Sequence, residues 1–308
     1  MSQAHDTSHI LQSLLSNVAL AAVKLAAAFY TGSGALLAEA LHTTTDSLNQ
    51  VLLLIGVRAA RKPPDATHPL GYGRELYFWS FLVALLLFSA GGLFSIYEGV
   101  HKLATPAPIE HAWVGFTIFG FSLALEILVT AANVRQIRAL KGDQGFFAFV
   151  VGSKESDLIV VFGENAAALI GTVLAFLAFF ASWKTGDGRF DALGSILVGV
   201  VLIGVAIFLT MEVKSLLIGE SADPRIRAVV ERLAVEDPRV NDVREVITVQ
   251  QGPGEVLVAL KISCPAEIEA RAVSRIINDF EARLRAEIPQ ARWIFVEPDL
   301  DGTSSVRS

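Results

Sequence analysis

Cysteine is nearly absent from this 308-residue chain, Cys264 being the single one. That excludes a disulfide framework, a four-cysteine zinc site and an intramolecular redox pair. With only two methionines, the thiolate and thioether clusters that select copper(I) are missing too. Positive charge is in deficit: 25 Lys and Arg against 31 Asp and Glu leave a net charge of -6, the wrong sign for a nucleic-acid surface. Met1–Ser8 holds no Lys or Arg, so the basic start of a removable signal peptide is not expected. Charge of either sign is sparse, at 18% against 53% hydrophobic residues, and the mean hydropathy is +0.52. Such a composition excludes an ordinary soluble domain of this length and predicts a protein of the lipid bilayer.

Apolar stretches are what the chain has in abundance. Ile10–Ala38 carries the single charge Lys24, and the Tyr30-Thr31-Gly32-Ser33-Gly34 break ends a first span and starts a second, Ala35–Val57, which runs on despite Glu39 and Asp46. Leu76–Tyr97, Ala112–Val134 with Glu126, Leu158–Trp183 with Glu164, and Ala192–Thr210 complete six spans, each near the length of about 20 residues that crosses a membrane. Basic residues set the orientation. Arg58, Arg61, Lys62 and Arg74 lie in one link, and Arg135, Arg138, Lys141 and Lys154 in another, while the opposite loops hold only Lys102, Lys184 and Arg189. Both termini are therefore expected to be cytoplasmic, with the cell (inner) membrane as host.

After Lys214 charges recur every few residues. A helix is predicted over Asp223–Glu236, strands over Val243–Val249 and Glu255–Ser263 around the turn Gln251–Gly254, a helix over Ala270–Ile288 and a strand over Arg292–Val296. The expected architecture is an all-α six-helix membrane domain, residues 1–214, followed by a small cytoplasmic α+β domain in the order α-β-β-α-β, residues 215–308, whose size favours pairing as a homodimer.

Ionisable groups inside spans are costly and therefore point to function. His42 and Asp46 are four apart, so they share one helical face with Cβ atoms about 6 Å apart, close enough to hold one divalent ion. They supply half of a tetrahedral shell; the alternative is a His–Asp hydrogen bond that merely joins helices.

Leu41-His42-Thr43-Thr44-Thr45-Asp46-Ser47-Leu48-Asn49-Gln50, followed by Arg61-Lys62-Pro63-Pro64-Asp65-Ala66-Thr67-His68-Pro69-Leu70-Gly71-Tyr72-Gly73-Arg74, resembles the cation diffusion facilitator family of divalent-metal/proton antiporters. Asn49-Gln50 and Gly219–Ala222 are similar to the branch that includes the ninth human zinc-transporter paralogue. The resemblance implies six spans, a metallochaperone-like tail, and a transport site made by two ligands on the second helix and two on the fifth. His42 and Asp46 match the first pair. On the fifth helix Glu164 and Asn165 stand where the branch carries adjacent Glu and Asp, and Val161 stands at the His position of other members. Asn165 makes the site less anionic, although an amide oxygen can still coordinate. Glu164 could instead make an interhelical hydrogen bond.

Proton coupling follows from His42, which binds metal only when neutral, so that proton and metal compete for it. Asp65 and His68 form a possible second metal site, since some members bind a further ion there. Here Tyr72 replaces the last ligand, and the Pro- and Gly-rich segment is alternatively a hinge. The tail has no histidine, and Cys264 is read as a small buried residue. His101 and His111 are read as interfacial, Asp191 as an N-cap of the sixth span, and Glu98 and Glu126 as interhelical hydrogen-bonding groups or liners of the path.

The implied function is efflux of a divalent cation, zinc by branch resemblance or manganese, iron(II) or cobalt, in exchange for protons by alternating access. Beyond the transported metal, no cofactor is expected. A non-transporting scaffold or partner subunit is the alternative, favoured by Asn165. An intramembrane metalloenzyme would need a motif such as His-Glu-x-x-His, which does not occur.

Overall fold

The computed structural model describes residues 3–142, 144–152, 156–265 and 267–300. It divides into two compact units, one of residues 1–58 and 76–214, the other of residues 59–75 and 215–308.

Among the described residues the first unit has six long helical stretches: α1 (Gln3–Thr31), α2 (Gly34–Ala60), a third composed of α3 (Glu75–Leu86), a π-helical turn (Leu87–Leu93) and α4 (Phe94–Ala104), then α5 (Ala112–Leu140), α7 (Ser156–Thr185) and α8 (Arg189–Ile218). A short helix, α6 (Phe146–Gly152), precedes α7. Four of the stretches, Glu75–Ala104, Ala112–Leu140, Val161–Thr185 and Arg189–Ile218, are long and apolar enough to cross a bilayer by themselves. Helix α2 does not meet that measure because its inward face is polar: Glu39, His42, Thr43, Thr45, Ser47 and Asn49 are all buried. That face is hidden by its neighbours, whereas α5 presents Phe121, Ile127, Leu128 and Val129 outward, a surface suited to lipid.

Small residues set the packing. A side chain at Gly92 would meet Ile203 and the Gly199 carbonyl, and one at Gly99 would meet Ile196 and the Ala192 carbonyl, so the third stretch lies directly on α8, where Ser195 Oγ donates to the Ser95 carbonyl at 2.8 Å. The sequence reads Leu76–Tyr97 as an uninterrupted helix. The π turn around Gly91-Gly92 is the difference, placed where the backbones approach. Helices α5 and α7 are joined by edge-to-face rings, Phe116 on Phe179 at 5.2 Å and on Trp183 at 5.3 Å.

Asp191 does not cap its own helix, as its position suggests. It is buried in the first turn of α8 and accepts from Ser33 Oγ at 2.6 Å and from the Gly34 and Ala35 amides, so the start of α2 is what it caps.

In the second unit α9 (Pro224–Val235), β1 (Asp242–Gly252), β2 (Glu255–Cys264), α10 (Ala270–Glu287) and β3 (Ala291–Leu300) follow in the expected order. The sheet order is β1-β2-β3, with β1 antiparallel and β3 parallel to β2. Strand β1 runs to Gly252, so the hairpin loop is only Pro253-Gly254, with Gly254 at φ 65°. Val256, Val258, Leu260 and Ile262 alternate into a core closed by Ile226, Val230 and Leu233 of α9 and Ile276, Phe280 and Leu284 of α10. Cys264 is buried there as expected.

Between α9 and β1, buried Asp237 accepts from the Arg239 guanidinium at 2.9 Å through each oxygen. Those bonds hold its carboxyl below the ordinary value of 3.8. A depressed folded-state value contributes stability that is complete above the unfolded value and is lost as pH falls through the folded one. Asp237→Asn is therefore expected to destabilise this unit by about 1–2 kcal/mol at neutral pH, with the difference from the unaltered chain shrinking below about pH 4. Hydrogen exchange of the α9 and α10 amides in the intact chain measures both.

Candidate metal centre

Helix α2 aligns Glu39, His42, Asp46 and Asn49 along one stripe, at the three- and four-residue spacing that stacks side chains on one face. The hydroxyls between them are already used: Thr43, Thr44, Thr45 and Ser47 donate to the carbonyls four residues back at 2.8–3.0 Å. What stays open on the stripe is chemically specific. His42 Nδ1 lies 3.4 Å from Asp46 Oδ1, yet both of these atoms, His42 Nε2 and Asn49 Oδ1 are buried without a hydrogen-bond partner. Buried polar atoms are ordinarily satisfied, and an imidazole nitrogen beside carboxylate and amide oxygens is a donor set suited to a borderline divalent ion.

Helix α7 completes the other wall. Glu164 is buried and its Oε1 accepts from Asn49 Nδ2 at 2.6 Å, and its charge acts on Asp46. Asn165, one position on, is turned about 100° away; it is partly exposed, and its carbonyl accepts from Thr130 Oγ1 at 3.4 Å. Among the described residues no three His, Cys, Asp or Glu side chains converge on one point. The α2 pair and Glu164 are thus joined through Asn49, a residue the sequence shows only as part of a motif.

The same stripe leads to a second polar cluster, which the sequence shows only as isolated charges. Lys24 of α1, 1% exposed, donates to Glu39 Oε2 at 3.1 Å, Thr43 Oγ1 at 3.0 Å and Glu126 Oε1 of α5 at 3.4 Å. Thr172 of α7 donates to Glu39 Oε2 at 2.6 Å. Lys24 and Glu126 as lone charges in two apolar spans, and Glu39 beside Asp46 in a third, are the sequence signal; which charges meet is not encoded in it.

Asp65 and His68 lie in the second unit. Asp65 Oδ1 accepts from the Thr67 hydroxyl at 2.7 Å and from the Thr67 and His68 amides at 2.9 and 2.8 Å, and Oδ2 accepts from Tyr72 at 2.7 Å. The Thr67 and Tyr72 hydroxyls and these amides hold the Asp65 carboxyl well below the usual range. His68 Nδ1 is 3.8 Å from Asp65 Oδ1, and its ring lies 4.2 Å from that of Tyr72. Two further histidines sit at helix ends: His111 stacks on Tyr30 at 4.4 Å and precedes α5, and His101 lies in the last turn of α4.

The profile of the cation efflux transmembrane domain matches residues 10–218. The proton-coupled zinc antiporter SLC30A9, mitochondrial, of Xenopus laevis is 32% identical over 255 residues, 82% of this chain and 45% of that protein. Its counterpart in Homo sapiens is 31% identical over 268 residues, 85% of this chain and 46% of that protein. The cation-efflux pump FieF of Shewanella oneidensis is 25% identical over 283 residues, 92% of this chain and 90% of that protein. The chain spans about half the length of the two vertebrate relatives. With a profile match over residues 10–218 and relatives that align over most of the chain, the chain belongs to the cation efflux family.

Proposed function

We propose that this membrane protein exports a divalent metal cation in exchange for protons by alternating access, with zinc the leading cargo ahead of manganese, iron(II) and cobalt. The observation that carries the reading is the set of buried, unpartnered donor atoms of His42, Asp46 and Asn49 on one stripe of α2, with Asn49 bonded to the α7 carboxylate Glu164. His42 and Asp46 supply one nitrogen and one oxygen, Glu164 a second carboxylate, and Asn165 an amide oxygen when α7 rotates during the cycle. His42 must be neutral to bind metal, so an inward proton gradient on the release side favours discharge. The names of the relatives, zinc antiporters and a cation-efflux pump, support the cargo class.

Residues 1–214 form the transport domain and residues 215–308 a cytoplasmic dimerisation domain in this reading, with both termini cytoplasmic and the cell (inner) membrane as host. The sheet face opposite the helices, with Phe295 and Ile247 exposed, supports a homodimer contact. A metal at Asp65 and His68 would have to compete with the four hydrogen bonds that Asp65 accepts, so we assign that loop to a structural turn. The chain acts as a transporter and not as an enzyme.

The test is metal uptake into inside-out proteoliposomes under an imposed proton gradient, comparing zinc, manganese, iron(II) and cobalt. Gradient-dependent uptake of one of them is expected. No uptake of any, with no binding at equilibrium, would leave the scaffold alternative, which the neutral Asn165 favours. Asn165→Asp is expected to tighten zinc binding by about tenfold, equivalent to about 1.4 kcal/mol, because it restores a carboxylate near the ion. Calorimetric titration of both proteins would show it, and equal affinities would remove Asn165 from the site.

A further inference from the structure

The cluster of Lys24, Glu39 and Glu126 stands apart from the donor set of the metal centre. Three helices deliver its charges, and α7 adds the Thr172 hydroxyl. Glu39 and Lys24 are 0% and 1% exposed, and Glu126 15%, so the charges lie in a medium that strongly penalises net charge. Their sum is unbalanced. Lys24 is the only cation bonded to either carboxylate among the described residues, and one ammonium neutralises one carboxylate. Glu39 Oε1 and Glu126 Oε2 are moreover buried without a hydrogen-bond partner. Glu39 Oε1 occupies space left by Gly171, where a Cβ would come within 3.0 Å of it.

From this imbalance we infer that the Glu39–Glu126 pair, with Lys24 between its members, is a proton-binding site that holds one proton when the metal centre is empty and gives it up when a divalent cation enters. Glu39 lies one helical turn from His42 on the same face of α2, and Lys24 also bonds Thr43, the next residue. A doubly positive ion at His42 and Asp46 supplies the charge that the proton supplied, and the Coulomb field of the ion opposes keeping both. The titratable and charged groups that act here are Lys24 from α1, Glu39, His42 and Asp46 from α2, Glu126 from α5, and Glu164 from α7 through Asp46. The inference rests on the proposed metal centre and adds a second group to its exchange: part of the proton count resides outside the ligands.

Proton release on zinc binding, followed with a pH indicator in weakly buffered detergent solution, tests it. Glu126→Gln and Glu39→Gln keep the shape and most hydrogen bonds of the cluster, and each is expected to release about one proton fewer per zinc than the unaltered protein while still binding zinc. Glu110→Gln, an exposed carboxylate of the loop between α4 and α5 and outside the cluster, is expected to leave the count unchanged. Identical counts in both cluster variants, with zinc still bound, would overturn the inference and spare the metal centre. Failure of the unaltered protein to bind zinc would overturn both. Infrared difference spectra of the unaltered protein give a second readout that needs no variant to fold. A protonated-carboxyl band lost on adding zinc is expected, and no such loss would overturn the inference.

Discussion

Asp46→Ala is expected to lower gradient-driven metal uptake by about 100-fold or more while leaving the helical unit folded. Asp46 is the carboxylate directly beside His42, at 3.4 Å, and its Oδ1 makes no hydrogen bond that the fold depends on. Its side chain is 20% exposed, so truncation leaves no sealed cavity of the kind that makes core deletions costly. The loss should therefore appear in binding and transport and not in melting temperature. Asp46→Asn separates charge from shape, since it keeps an oxygen at the same place and removes the negative charge that offsets the cation. Uptake by Asp46→Ala within a few-fold of the unaltered protein would place the cargo site elsewhere.

For Lys24→Met the expected loss is of stability, about 3–5 kcal/mol, because it removes the cation from two buried carboxylates. A fall in detergent melting temperature on the order of 10 °C is the corresponding observation. Replacing the whole cluster, with Glu39→Gln and Glu126→Gln added, should recover much of that loss, since neutral groups of similar volume carry no buried charge. If Lys24→Met melts with the unaltered protein, the ammonium is not the counter-ion that its bonds to Glu39 and Glu126 imply.

Both variants concern residues visible in the sequence, yet the sequence ranks them differently. His42 and Asp46 lie four apart on one helix, and local geometry alone places them side by side. Lys24 and Glu126 carry no such pattern: each is a single charge in an apolar span, and either could equally have faced water or a neighbouring backbone. The second-unit elements were legible because alternation and turn residues are local. Strand β3 nevertheless runs past Val296 through Pro298 to Leu300, since it lies at an edge of the sheet, where a proline is tolerated.

By itself the sequence determined the bilayer as solvent, the long helices, the α-β-β-α-β order of the tail and the His42–Asp46 pair. All of these follow from composition or from periods of two to four residues. Tertiary structure alone decided that Lys24 meets Glu39 across 15 positions and Glu126 across 102, that Asn49 holds Glu164 across 115, and that Asp191 caps α2 across 157. Such pairings depend on how helices pack, and packing in the membrane is set by small residues and by the need of every buried polar group for a partner.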